Sequence, residues 1–346
     1  MFYIFNNNLE LSGVVESFEY LRWVRRYNRC GSFELKAIAT NENLALLVLG
    51  NILWPGNDEE AGIIEYVEKS QEEREIITVS GHFATSYLSR RIIWNTETLN
   101  DGLSDCVGQL LQNHIINPSD ADRKIDFLQY INDNITSPVS TQISFRNLMD
   151  AITGLCEASD VGIKTVFDPT AKTFTVRLYE GVQSQAVFAE EYENLTSQIF
   201  TQSVVDYSNV ALIGGEGEGS GRIFETTGSG AGVGRHEIFV DAKDLRSEDL
   251  SEDYTAALLF RGQSKLSERV MTQSFDAAIN PHGNLRYKTD FDLGEVVKVI
   301  SKRWGVMLDT RITEIEETYD VDGQSLNIVF GKGILTLPQK LKGVLD

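Results

Sequence analysis

Cysteine, proline, histidine and positive charge are all scarce in this 346-residue chain. Cys30, Cys106 and Cys156 are the only cysteines; they are odd in number, widely spaced and form no C-x-x-C. That pattern excludes a disulfide framework and a structural zinc site, and it fits a chain made in a reducing compartment. Lys and Arg number 31 against 51 Asp and Glu, a formal net charge of -20. Proteins that grip nucleic acid hold its phosphates with basic patches, so this balance argues against that class. It suits a surface past which nucleic acid slides without sticking. No window approaches 18 uninterrupted apolar residues, so no transmembrane helix is expected. The start, MFYIFNNNLELSG, has neither the basic region nor the apolar run of a signal peptide.

Nucleotide and hydrolase motifs are missing too. The stretch NVALIGGEGEGSGRIFETTGSGAGVG (209–234) is glycine-dense, but its glycines alternate. No window reads G-x-G-x-x-G or G-x-x-x-x-G-K-[ST], and strand-like RIFETT and RHEIFVDA follow where a phosphate site needs a helix N-terminus. Glu216 and Glu218 would repel a phosphate. Two glycine-rich loops around a short strand are expected, becoming ordered against a neighbouring subunit. No G-x-S-x-G occurs, since Glu218 and Thr227 stand two residues before Ser220 and Ser229. His82, His114, His236 and His282 are far apart and form no H-E-x-x-H; His114 is expected to be packing at the edge of a helix stripe. The acid pairs Asp120/Asp122, Asp290/Asp292 and Asp320/Asp322 lack the ligand pattern of a calcium loop. No catalytic, cofactor-binding or metal-ligating residue is assigned.

What is present is β-structure. SFEYLRWV alternates, and after Gly31 the residues Phe33, Leu35, Ala37 and Ala39 share one face. GIIEYVEKS and EIITVSGHF read as a hairpin around QEER. Near residue 96 the period changes. Leu103, Val107, Leu110, Leu111 and Ile115 form one helical stripe. Residues 118–142, with Pro118 and Pro138, read as mostly loop. A second helix is expected from about Phe145 through Leu148, Met149, Ile152, Leu155 and Cys156, then a hairpin around Asp168-Pro169. A helix over about 252–270 precedes a long hairpin, TRITEIEETYDVDGQSLNIVFG, with a type I′ turn expected at Asp322-Gly323.

The chain also repeats itself. GSFELK (31–36), LGNIL (49–53), GIIEYVE (62–68) and ITVSG (77–81) are followed in the same order by GNLRYK (283–288), LGEVV (293–297), RITEIEE (311–317) and NIVFG (327–331). Two copies of one antiparallel barrel or sandwich around a helical insert are expected. The arginine-rich strand FEYLRWVRRYNR (18–29) offers a basic face in an acidic protein, suited to an acidic neighbour such as another copy of the chain.

These features together resemble the tail-hub proteins of long-tailed bacteriophages, a family allied to contractile-tail baseplate hubs. The resemblance is carried by LRWVRRYNRCGSFEL, GIIEYVE with ITVSG, YENLTSQIFTQSVVDYSNVALIGGEGEG, GRHEIFVDAKDL and FDLGEVVKVISKRWGVMLDTRITEIEETYDVDGQSLNIVFGKG. It implies a mainly β fold with an α+β insert: a first tail-tube-like β-barrel domain over 1–95, the insert over 96–195, and a second barrel domain with the glycine-rich loops over 196–346. It further implies a non-enzymatic virion protein. Three chains would form a trimer whose six barrels adapt a hexameric tail tube to a threefold tip. The expected partners are the tube or distal tail protein, tip, spike or tail-lysin proteins, the tape measure and passing DNA. A hub of a tailocin or injection machine, and a β-rich carbohydrate-active protein, are the alternatives. With LTLPQKLKGVLD following the last expected strand, no lytic domain is expected there.

Overall fold

The structure, a computed structural model, describes residues 1–71, 74–250, 254–280 and 283–331. The N-terminal part holds β1 (Phe2–Phe5), β2 (Leu11–Val15), β3 (Tyr20–Arg26), β4 (Ser32–Ile38), the short α1 (Asn41–Leu46), β5 (Ile52–Trp54), β6 (Gly62–Gln71) and β7 (Glu75–Phe83). Alternation does the folding here: Phe33, Leu35 and Ala37 are buried on one face of β4, with Val79 and Trp23 in the same core. The hairpin β6–β7 forms as expected; Glu72 and Glu73 of its turn lie outside the described residues.

The middle holds β8 (Glu97–Gly102), α2 (Leu103–Leu111), β9 (Leu128–Tyr130), β10 (Pro138–Ile143), α3 (Leu148–Ala158), β11 (Gly162–Asp168) and β12 (Thr173–Tyr179). The stripe on α2 and its π-helical extension is wholly buried, as are Leu148, Ile152, Leu155 and Cys156 of α3; Met149, expected on the same face, is only half-buried. The hairpin around Asp168 forms, with the Asp168 carboxylate accepting the Thr170 and Ala171 N–H groups. Residues 118–142 are less loop-like than their polarity suggests. They supply β9 and β10, and β10 pairs with β8. Pro138 is tolerated because it is the first residue of a strand in a two-stranded sheet, where its missing N–H breaks no ladder.

The C-terminal part holds β13 (Gln183–Ala189), β14 (Leu195–Ser203), β15 (Val210–Gly214), β16 (Phe224–Gly228), β17 (Glu237–Asp241), α4 (Ser247–Leu250), α5 (Tyr254–Glu268), β18 (Thr272–Ile279), β19 (Val296–Ser301), β20 (Val306–Asp320) and β21 (Gly323–Gly331). Strands β15–β17 and α5 make a small unit with its own core of Ala211, Ile213, Val240, Ala257 and Leu258. The turn between β20 and β21 runs through Val321 and Asp322. Positive φ falls on Gly323 alone, so the type I′ expectation fails: that turn needs positive φ at both central residues.

One 13-stranded sheet crosses the molecule. Its path is open among the described residues, so no strand set closes into a barrel. Nor is it wholly antiparallel, since β13 runs parallel to β19. Within this sheet the repeat is plain. The N-terminal strands follow the order β3-β4-β7-β6-β5-β1, and the C-terminal strands follow β14-β18-β21-β20-β19-β13. The Leu-Gly turns are superimposable in their bonding. Gly50 N–H donates to Ile64 O (2.8 Å) and Gly294 N–H to Ile312 O (2.8 Å); Ile64 N–H returns to Asn51 O and Ile312 N–H to Glu295 O, both 2.8 Å. The two glycines have φ of +85° and +87°, and a bulge follows each turn, at Ile64/Tyr66 and at Ile312/Glu314.

The pairing of sequence blocks needs correction in detail. Residues 283–288 are not a strand; they hold only a bridge from Tyr287 to Phe291. The counterpart of GSFELK is QSFDAA on β18: Phe33 lies opposite Gly81, and Phe275 opposite Phe330. The later blocks correspond one residue out of the glycine-to-glycine alignment, because the bulges and not the glycines fix the register.

Candidate functional site

The two copies meet edge to edge, β3 against β20. Charge chooses this pairing. Arg22 and Arg26, two pleats of one face, meet Glu316 and Glu314 on the opposing strand at 2.5 and 2.6 Å. The basic face expected to seek an acidic neighbour therefore finds one in the second half of its own chain. Arg29 turns to Glu157 of α3 (2.5 Å), tying in the insert.

Arg25 points to the other side, into a polar joint where all three parts converge. It is 7% exposed; its Nη1 donates to Tyr287 Oη (2.9 Å) and Asp292 Oδ1 (2.8 Å), while its Nε has no partner. The Asp58 side chain is almost wholly buried and bonds Lys288 (3.1 Å). Burial works to raise its pKa, but Arg25 and Lys288 outweigh burial and hold it below the usual carboxylate range. Two residues on, Glu60 shows the opposite outcome. Burial pushes its carboxyl up to about 8, against the pull of Arg25. The wholly buried Tyr27 donates from its hydroxyl to Asp160 O (3.1 Å) and accepts the Gly181 N–H (3.1 Å). Over its ring lies the Arg311 guanidinium (4.8 Å), which also bonds Asp160 (2.6 Å) and Gly294 O (2.6 Å). Between these groups is an open cleft of about 360 Å³, lined among others by Arg25, Asp58, Lys164, Tyr179, Lys288 and Asp292.

Chemically this is a joint of mutually paired ions. Sequence reasoning missed it because Glu60, Tyr179 and Asp292 lie on three separate segments with no shared motif. The basic face of RWVRR and the acidic face of ITEIEE were the readable part.

The other residues considered stay apart. His82 Nδ1 contacts Glu65 (2.6 Å). His114 is buried with Nε2 3.0 Å from Glu97 but out of line for a hydrogen bond, and burial lowers its pKa. His236 rests edge-on against Tyr207. His282 lies outside the described residues. Burial raises all three thiols, Cys156 to about 12. Among the described residues no group of three or more His, Cys, Asp or Glu could hold a metal ion, and no helix is long and apolar enough to cross a membrane.

The glycine-rich segment divides in two. Gly214 lies under the Arg222 guanidinium, and a Cβ at Gly215 would fall 2.5 Å from the Tyr254 hydroxyl; both are packed positions. Gly219, Gly221, Gly232 and Gly234 face open space. Strands, and not a helix N-terminus, follow each run.

The same fold occurs in solved structures. The prophage MuSo2 43 kDa tail protein of Shewanella oneidensis superposes with a TM-score of 0.63 at 12% identity, covering 96% of this chain and 98% of that one. The tail protein of Neisseria meningitidis MC58 gives 0.60 at 11%, covering 96% of each. The prophage tail protein gp18 of Listeria monocytogenes EGD-e gives 0.58 at 12%, covering 100% and 99%. A chain of the PdpA-VgrG complex of Francisella gives 0.51 at 9%, covering 97% and 58%. No curated protein matches. Residues 1–332 match the family model of the siphovirus ReqiPepy6 Gp37-like protein. The chain belongs to that siphovirus family, and its fold is that of phage tail proteins.

Proposed function

We propose that this tail protein is a structural, non-enzymatic hub of the virion. Three chains set their repeated strand modules around one axis, six modules in all, and so join a hexameric tube to a threefold tip. The observation that carries this reading is the repeat itself: one strand order, one Leu-Gly turn and one bulge, twice in a chain. An internal duplication gives a threefold assembly sixfold pseudo-symmetry without a second protein. The β3–β20 ladder and the joint around Arg25 fix the angle between the modules, which a ring requires. The open sheet leaves β14 and β2 as edges for neighbours. Contact with tube, tip and tape-measure proteins, and passage of DNA along an acidic channel, belong to the same proposal. Electron microscopy of the purified chain tests it: rings with six similar lobes support the hub, and rings with three lobes or none count against it.

The hub of an injection machine is the second reading, favoured by the likeness to the Francisella chain. Placing the chain in tails or in contracted needles by immunogold labelling separates the two.

A further inference from the structure

Most cations of this chain are neutralised within it, as on β3. One cluster is not. Arg90, Arg91 and Arg123 lie together, and neither they nor Arg146, whose carbonyl accepts the Ile93 N–H (2.9 Å) on the adjoining segment, make an ion pair among the described residues. Arg91 donates to the carbonyls of Arg123 (2.7 Å) and Arg90 (2.9 Å), and Arg123 donates to Ile92 O (2.6 Å). The Arg90 guanidinium lies over Tyr87; Glu65, an acid within its electrostatic reach, bonds His82. Burial, then repulsion from Arg123 and Arg90, lowers the Arg91 pKa. Like charges have thus been gathered in a protein of net charge -20.

Exposed apolar side chains sit among them. The Ile92–Asn147 bridge joins the segments 91–94 and 145–148, bringing together Ile92 (50% exposed), Trp94 (53%) and Phe145 (77%). Arg123 stacks on Trp94 at 4.1 Å. Phe145 is held at φ +54°, the left-handed region that a bulky side chain avoids. A strained, exposed aromatic beside Trp and Arg has the composition of an interface anchor.

We propose that this patch docks the acidic surface of a second copy of the chain; the inference rests on the trimer reading above. The occupant follows from charge complementarity: apart from such patches the chain's own surface is acidic. A basic patch that meets a different, acidic patch on an identical chain makes a head-to-tail contact, the type that closes into a ring. An apolar anchor ringed by arginines gives that contact both grip and salt sensitivity.

Sedimentation velocity of the full chain over a dilution series, at low and high salt, tests it with two variants. Phe145→Gly removes the anchor and relieves the backbone strain; Arg146→Glu reverses an exposed charge. Each is expected to raise the concentration of half-dissociation of the trimer about tenfold or more. The melting temperature of the dissociated Phe145→Gly chain is expected to match or exceed that of the wild type, which separates docking from misfolding. Salt is expected to weaken the wild-type trimer more than that of Arg146→Glu. Unchanged trimer affinity in both variants overturns the inference and leaves the hub reading standing. A wild type that never associates removes the trimer reading itself. Binding of a single-stranded oligonucleotide that Arg146→Glu abolishes, with trimer affinity unchanged, assigns the patch to nucleic acid and also overturns it.

Discussion

Glu60 and Gly294 show how single residues hold the joint. Glu60 is a carboxylic acid in the folded chain at neutral pH, since burial lifts its pKa from 4.5 to about 8. The native state therefore keeps a proton that the unfolded chain has released. Stability from this group is fullest below about pH 4.5 and falls as pH rises towards 8. Glu60→Gln abolishes that dependence. Its melting temperature is expected to exceed the wild type's by a margin that widens from pH 5 to pH 8; a constant margin in thermal melts contradicts the assignment. Gly294 tests a different force. Its φ of +87° matches that of Gly50, but its missing Cβ leaves room for the Tyr27 ring at 2.6 Å, where Gly50 faces only the Asn7 side chain at 3.0 Å. Gly50→Ala is expected to cost about 1–2 kcal/mol, the left-handed backbone cost alone. Gly294→Ala is expected to cost more, from the added clash with a buried ring. Urea midpoints of the two variants check the ranking.

At the scale of elements, β3 and β20 form the seam between the copies. The pairs Arg22–Glu316 and Arg26–Glu314 are about a quarter to two-fifths exposed on their most open members, so each is a modest contact. A double-mutant cycle on Arg26 and Glu314 is expected to give a coupling of about 0.5–1 kcal/mol. The swap Arg22→Glu with Glu316→Arg is expected to recover most of what either single change loses; no recovery means charge does not set this register. Much of this level could be read from residues. Arg22 and Arg26 of RWVRR share one strand face, as do Glu314 and Glu316 of ITEIEE, and the two faces are complementary. The stripes of α2 and α3 named their buried faces. QSFDAA was harder to see as the partner of GSFELK, because residues 204–269 interrupt the second copy with a unit of their own. The parallel pairings β15–β17 and β9–β12 were not legible, since a crossover leaves no local signal. Nor was the joint, whose members converge only once the three parts pack.

For the whole molecule, an open sheet with a duplicated strand order leaves unpaired edges, and a net charge of -20 sets identical chains repelling one another. Assembly then depends on specific contacts, and the arginine-aromatic patch of the insert is the inferred one. The central claim is that three copies of this duplicated chain make one hub. Native mass spectrometry of the full chain across a concentration series tests it most directly. The hub account predicts a species at three times the 38.7 kDa chain mass that grows with concentration. A chain that remains at 38.7 kDa throughout, or settles as a dimer, contradicts it.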